Sequence, residues 1–426
     1  VSRDAEIANY VSQVSADSLK SHINKLVSFG TRHTMSSTTD AKKGIGAARN
    51  WVLSKFKNYA KNSDGRMEVF LQSQTIQPDG KRINQPTDLG NAIAILRGTD
   101  PNDKRIFMIG GHLDSRVSDV MNNKDFAPGA NDDGSGVGAV IESARVLSQS
   151  RFPATIVFVA FSGEEQGLLG AKMLAEKAKN ENWQLEALLN NDMIGNNLSS
   201  ETNLINANQL RVFSEGLPQF DLDKKAQEIR NLGLENDGEA RQLARYIKEI
   251  GERYVDNLEV KLIYRNDRFL RGGDHTSFVN QGFSAVRLTE FNENYDHQHQ
   301  DIRKENGKQF GDLPEFMDFE YFKKNVGVNV SVLANLAKSP SKPENVKMDV
   351  KELTNFTTIH WEKPKNGEVV GYYVLMRETD SSIWQKKFFT KENSMKLPYS
   401  KDNYFFAVQA VNSSGNESLI VIPSVK

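Results

Sequence analysis

Along the first part of the chain, apolar positions recur at three- and four-residue spacing. Leu19, Ile23, Leu26 and Val27 make one such stripe and Trp51, Val52 and Phe56 another, so this region reads as amphipathic helices. From Met67 to Leu96 the pattern changes to short β-rich runs, MEVFLQS and NAIAILRG, separated by Pro, Gly and Asp turns. RIFMIGGHLDS is an apolar strand that stops abruptly on glycines. A turn-rich segment, APGANDDGSG, leads from it into an amphipathic helix, VGAVIESARVLSQS. ATIVFVAFSGEE is a continuous β-branched and aromatic run, as expected of a strand covered on both faces. GLLGAKMLAEKAK is helical again, and LEALLNNDMIG reads as a strand ending in Asp.

Strand, helix, strand, helix, strand in short order predicts an α/β fold with a mainly parallel mixed sheet and helices on both faces. Ligands in such folds bind beyond the carboxyl ends of the strands. Residues 215–252 are charged and read either as an insertion over the site or as a solvated loop and helix. The α/β pattern resumes with VKLIYRNDRF, HTSFVNQG and SAVRLTE and closes on a helix near FEYFKKNVGVNVSVLANLAK. At SPSKPENVK the composition becomes that of a linker, and beyond it helical periodicity disappears. A boundary near residue 340 therefore divides the chain into an α/β domain, 1–339, and a series of short strands, 340–426, spaced as in a small all-β sandwich. With Trp361 early, Tyr372 on a middle strand and the run YFFAVQAVNSSGNES, this second part resembles a fibronectin type III module.

Composition narrows the chemistry. The 426 residues are 38% hydrophobic and 26% charged, as in an ordinary globular protein, and 54 basic against 55 acidic residues leave a net charge of −1. That balance gives no drive toward nucleic acid or anionic lipid, and no apolar run is long enough to span a membrane. There is no cysteine, so disulfides, thiolate metal sites and cysteine nucleophiles are all excluded. A metal site must then use His, Asp and Glu. The absence of cysteine, the start on Val1 rather than Met and the sandwich module together predict a secreted, periplasmic or extracellular protein.

Five polar clusters stand out. They are His112 and Asp114 in GGHLDS, Asp132 and Asp133 in GANDDGSG, Glu164 and Glu165 in SGEEQG, Asp192 in NNDMIG, and His297 and His299 in NYDHQHQD. Singly, each has a plain structural explanation, such as a helix cap at Asp132–Asp133. Jointly they do not. Carboxylates and imidazoles at successive strand ends of one sheet would meet on a single rim, and close carboxylates stay ionised only at a cost that a divalent cation relieves. Carboxylate and imidazole ligands without thiolate suit zinc in an open catalytic site, and would also accept manganese or cobalt.

In this order the motifs GGHLDS, PGANDDGSG, EEQGLLG, NDMIG and HQD are similar to those of the M28 metallopeptidases, which include bacterial leucyl-type aminopeptidases. The resemblance spans roughly residues 15–338. It implies a zinc-exopeptidase fold, two zinc ions and hydrolysis of N-terminal peptide bonds in peptide or protein substrates. It further implies that His112 and Asp192 bind one metal, that Glu165 and a late histidine bind the other, and that Asp132 bridges them, followed across a cis peptide by Asp133. Asp114 would orient the His112 ring, and Glu164 would be the general base. For the late histidine the spacing to Asp301 selects His297, whereas the QHQD pattern selects His299; His299 is the choice taken. Residues two apart on an extended segment cannot both point inward. Asp274 and His275, in RGGDHTSF, read as a loop shaping the substrate pocket or as a structural histidine. Tyr264, Arg265 and Arg271 are candidates for a substrate carboxylate or the oxyanion. Relatives of this fold also remove C-terminal residues or cyclise N-terminal glutamine with one zinc, but five retained ligand types and the Glu164–Glu165 pair favour two metals and hydrolysis. A non-catalytic peptide- or surface-binding protein of the same fold would lack ligands or the base, and none is missing here. The partner of residues 340–426 is not legible.

Overall fold

The computed structural model of the chain describes residues 3–217 and 219–425, with backbone alone over 219–224. Three helices open it, α1 (Ala5–Gln13), α2 (Ala16–Val27) and α3 (Gly44–Ala60); α1 buries Ile7 and Tyr10, and α2 and α3 turn the stripes seen in the sequence inward, burying Leu19, Ile23, Leu26, Val52 and Phe56. There follow β1 (Met67–Ile76), β2 (Thr87–Leu96), β3 (Arg105–His112), α4 (Gly134–Leu147), β4 (Thr155–Phe161), α5 (Leu169–Asn180) and β5 (Gln184–Asn191). The second half of the domain adds β6 (Gln209–Phe213), α6 (Gln219–Leu232), α7 (Glu239–Tyr254), β7 (Glu259–Ile263), α8 (His275–Val279), β8 (Ala285–Glu290) and α9 (Phe319–Lys338).

The eight strands form one sheet in the order β1-β2-β4-β3-β5-β8-β6-β7. Its centre, β4-β3-β5-β8, is parallel throughout; β2 joins it antiparallel to β4 with β1 antiparallel beyond, and β6 joins it antiparallel to β8 with β7 parallel beyond. The sheet is thus mixed, with helices on both faces. One face packs against α1–α4, α7 and α9 around Phe56, Phe107, Val140, Phe158, Phe322 and Val330. The other packs against α5 and α8 around Met108, Val159, Leu174 and Phe278. Every residue of β4 is buried, which is why its sequence runs apolar without alternation.

Within the charged stretch 215–252 the structure has α6 and most of α7. Helix α7 buries Leu243, Ala244, Ile247 and Ile250 in the main core, so it belongs to the helical layer and is not a loop over the site. Strand β6 was not legible as a strand. It is five residues long with Arg211 at its centre, and its pairing with β7 and β8 comes from distant segments.

After α9 come two facing sheets. One orders the strands Ser394–Leu397, Thr357–Glu362, Glu344–Met348 and Ser424–Val425; the other orders Lys386–Thr390, Gly371–Glu378 and Tyr404–Val411. Trp361 and Tyr372 meet edge to face at 5.3 Å between them, with Val374, Phe406 and Val408 completing a separate core. This sandwich is bonded to α7. Asp237, just ahead of α7, accepts hydrogen bonds from Arg377 at 2.6 and 2.7 Å and from Arg245 at 2.8 Å. Arg253 donates to both oxygens of Glu417, at 2.7 and 2.8 Å.

Candidate metal and catalytic centre

The polar clusters gather at the carboxyl edge of the four central parallel strands. His112 closes β3, and a Cβ on the preceding Gly111 would lie 2.4 Å from the backbone of Gly136, so only glycine lets α4 start against this strand end. Asp133 caps α4 by accepting from Gly136 N at 2.9 Å. Its carboxylate also accepts from His112 N at 2.9 Å and from Met193 N at 3.1 Å, which binds the ends of β3 and β5 to the helix. The plain capping role thus belongs to Asp133. Asp132, joined to it by a cis peptide, reaches the cluster.

Asp132 lies between two histidines. Its Oδ1 is 3.1 Å from His112 Nε2, and Asp192 Oδ1 is 3.8 Å from the same nitrogen. Its Oδ2 is 2.9 Å from His299 Nε2, which in turn is 2.8 Å from Glu165 Oε1. Two sets of candidate ligands result, His112–Asp132–Asp192 and Asp132–Glu165–His299, each with its donor atoms within 4.8 Å of one another. Glu164 belongs to neither, although it forms a third grouping with His112 and Glu165. Burial alone would lower both imidazoles, but the carboxylates around them push His299 up to about 10 and His112 well above its usual range. So negative a field, made by nitrogen and oxygen donors only, fits divalent zinc, and Asp132 is in both sets.

The shell around these groups orients them. A carbonyl can only accept, so the 2.9 Å contact of His112 Nδ1 with Asp114 O puts the ring proton on Nδ1 and leaves the Nε2 lone pair, beside Asp132, free to bind a metal. The Asp114 carboxylate is farther from the ring, at 3.6 Å, and accepts instead from Glu164 N, Glu165 N and Thr34 Oγ1 at 3.0–3.2 Å. Asp114 therefore acts on the ring through its main chain and on the Glu164–Glu165 turn through its side chain. Burial would push Asp192 up, but Arg287, 3.0 Å from its Oδ2, holds it well below the usual carboxylate range.

Sequence reasoning missed Arg287, Asp312 and Glu290. Asp312 accepts from Asn131 N and Asp132 N at 2.9 and 2.7 Å and is pushed up to about 7 by burial. Glu290, pushed up to about 8 by burial, accepts from Asn131 Nδ2, Gly195 N and Asn196 N. An Arg and a Glu inside the buried run AVRLTE were a usable signal, because charges in such strands need partners. Asp312 carried no comparable mark.

Of the two late histidines, the structure brings His299 to the cluster. His297 stacks on Phe316 with 3.9 Å between ring centres, and burial lowers it to about 4. The segment is a turn rather than extended, with His299 in the left-handed region at φ 55°. His275 bonds Asn266 O at 2.7 Å, and Asp274 is pushed up to about 8 by burial; neither lines the cleft in front of the cluster. Arg271 and Gly272 of the same loop do line it. Tyr264 instead donates to Ser382 O at 2.6 Å, and Arg265 lies over Phe269, so those two candidates are spent elsewhere.

A family model described as peptidase family M28 matches residues 91–313. This chain belongs to that family. A fibronectin type III model matches residues 341–423 of the same M28 peptidase. A probable zinc metalloprotease of Leptosphaeria maculans is 42% identical to it over 421 residues, covering 99% of this chain and 97% of that protein. Among solved structures, the LapA aminopeptidase of Legionella pneumophila is similar with a TM-score of 0.56 at 19% identity, over 79% of this chain and 76% of that one. A glutaminyl cyclase of Fimbriiglobus ruber is similar with a TM-score of 0.51 at 17% identity, over 75% and 95%. At such identities the likeness is one of fold, and this fold hosts both reactions. The family and the relatives make the chain a zinc metallopeptidase with an appended fibronectin type III domain, as the motif order implied.

Proposed function

We propose that this M28 peptidase is a di-zinc aminopeptidase that removes N-terminal residues from peptides. The observation that carries the reading is the pair of ligand sets sharing Asp132, with Glu164 left outside both. His112, Asp132 and Asp192 would hold one ion, and Asp132, Glu165 and His299 the other; bound there, the two supply Lewis acidity to a water and to the scissile carbonyl. The same donors would accept manganese or cobalt. Glu164 lines the cleft, takes the proton of the attacking water on its carboxylate and delivers it to the leaving amine. Asp114 keeps that carboxylate in register by holding the backbone of its turn. The cleft in front of the two sets has a volume of ≈ 230 Å³. Cyclisation of N-terminal glutamine, done with one zinc in relatives of this fold, would leave the second ligand set without a use.

Acetylating the N terminus of a good peptide substrate is expected to abolish its cleavage, because the terminal ammonium no longer fits among the cleft carboxylates. Chromatography of matched free and acetylated peptides reads this directly. Cleavage of the acetylated peptide at its C terminus would replace the aminopeptidase reading with a carboxypeptidase one.

A further inference from the structure

We propose that the arginines around the cleft recognise a carboxylate carried by the substrate next to the scissile bond; this inference rests on the peptidase reading of the same cleft. Besides Asp132, Glu164, Glu165, Asp192 and His299, the cleft is walled by Arg82, Arg116, Arg268 and Arg271, with Gly272 and Gln298 between them. No aliphatic or aromatic side chain is among its described lining residues. A pocket selecting leucine or phenylalanine works by removing apolar area from water, at about 25 cal/mol per Å², and the lining of this cleft is almost wholly polar.

Three of these guanidiniums are also short of carboxylate partners. Arg268 pairs with Glu293 at 2.8 Å and with Asp267 at 3.2 Å, but Arg271 has only a 3.4 Å contact with the same Glu293, which Arg211 outside the cleft also holds at 3.2 Å. Arg116 spends its N–H groups on the main-chain carbonyls of Val117 and Ser118, at 3.0 and 2.9 Å. Arg82 donates to Glu165 O at 2.6 Å. Neither Arg116 nor Arg82 makes an ion pair among the described residues. The carboxylates on the cleft floor are themselves engaged, since Asp132, Glu165 and Asp192 face the histidines as ligand sets and Asp192 also pairs with Arg287 and acts on Arg268. Isolated surface arginines usually face water, but these four come from three separate segments and meet at one opening, and Arg268 is largely buried there. A planar guanidinium fork matches a carboxylate in shape as well as charge.

Two substrates present such a group. One has an acidic side chain on its N-terminal residue. The other is a short peptide whose free α-carboxylate lies one residue beyond the bond cut. The test uses the zinc-loaded chain with matched acid and amide pairs: glutamyl- against glutaminyl-p-nitroanilide, and Ala-Ala against Ala-Ala-amide. At least one acid is expected to exceed its amide about tenfold or more in kcat/KM, the scale of one hydrogen bond to a charged group. That ratio should fall toward one in Arg271→Gln and Arg116→Gln, with zinc content and melting temperature unchanged. Response in the first pair assigns the carboxylate to the side chain, and response in the second assigns it to the chain end. Ratios near one in both pairs, while leucyl-p-nitroanilide is hydrolysed, would overturn the proposal and leave the peptidase reading intact. If no substrate turns over, calorimetry with glutamate and glutamine decides. Binding selective for glutamate and lost in Arg271→Gln upholds the carboxylate site against a failed peptidase reading, and equal or absent binding sinks both.

Discussion

Glu164→Gln is expected to lower kcat by about 10²- to 10⁴-fold while leaving zinc content unchanged, the range typical of removing a positioned general base. Glutamine keeps the size of the side chain and one acceptor oxygen but cannot take a proton. The turn survives as well, because Asp114 holds it through the backbone N–H groups of Glu164 and Glu165. Kinetics and elemental analysis of the same preparation separate the two roles open to this residue. Its carboxylate lies 3.8 Å from His112 Nε2 and also falls into a grouping with His112 and Glu165. Loss of a zinc ion along with activity would make Glu164 a ligand, and turnover within a few-fold of the unsubstituted enzyme would remove it from the chemistry.

The largest stability effect is expected away from the cleft, at Asp237→Ala. This carboxylate is fully buried between Arg245 and Arg377, and it also accepts from Gln242 Nε2 at 2.8 Å. Both guanidiniums are nearly inaccessible, at 3% and 2% side-chain exposure. Removing the anion leaves two buried cations facing each other, which costs about 3–5 kcal/mol, far more than the net value of an intact pair. Arg377 comes from the fibronectin type III domain and Arg245 from α7, so denaturant unfolding should show the sandwich separating at lower denaturant than the rest. Adding Arg377→Met should recover part of the loss, since it removes one stranded charge, and a double-mutant cycle measures how much. A cost under about 1 kcal/mol would mean that water reaches the pair.

The strand ends were legible because their apolar runs stop abruptly, on glycines in β3 and β4 and on asparagines in β5, and polar clusters follow within a few residues. GGH, NDD, GEE and NDM could therefore be read as one rim once the runs were recognised as neighbouring strands. The late histidine could not be read in the same way. His297 and His299 lie in a turn, and which ring meets Asp132 depends on Phe316, 19 and 17 residues further on, capturing His297. The cleft arginines were hidden for a related reason. Arg82, Arg116, Arg268 and Arg271 look like ordinary loop charges until the sheet order brings their loops together, and only Arg271 was singled out beforehand. The docking of the sandwich on α7 was invisible as well, because Asp237 lies in a run that reads as solvated and its partner Arg377 is 140 residues further on.

Zinc content per chain, measured by mass spectrometry on purified protein after excess metal is removed, bears most directly on the paired ligand sets sharing Asp132. Two zinc ions per chain are expected, falling to one in His299→Ala, which breaks only the Asp132–Glu165–His299 set. One zinc in the unsubstituted chain, or two retained in His299→Ala, would contradict the two-site centre.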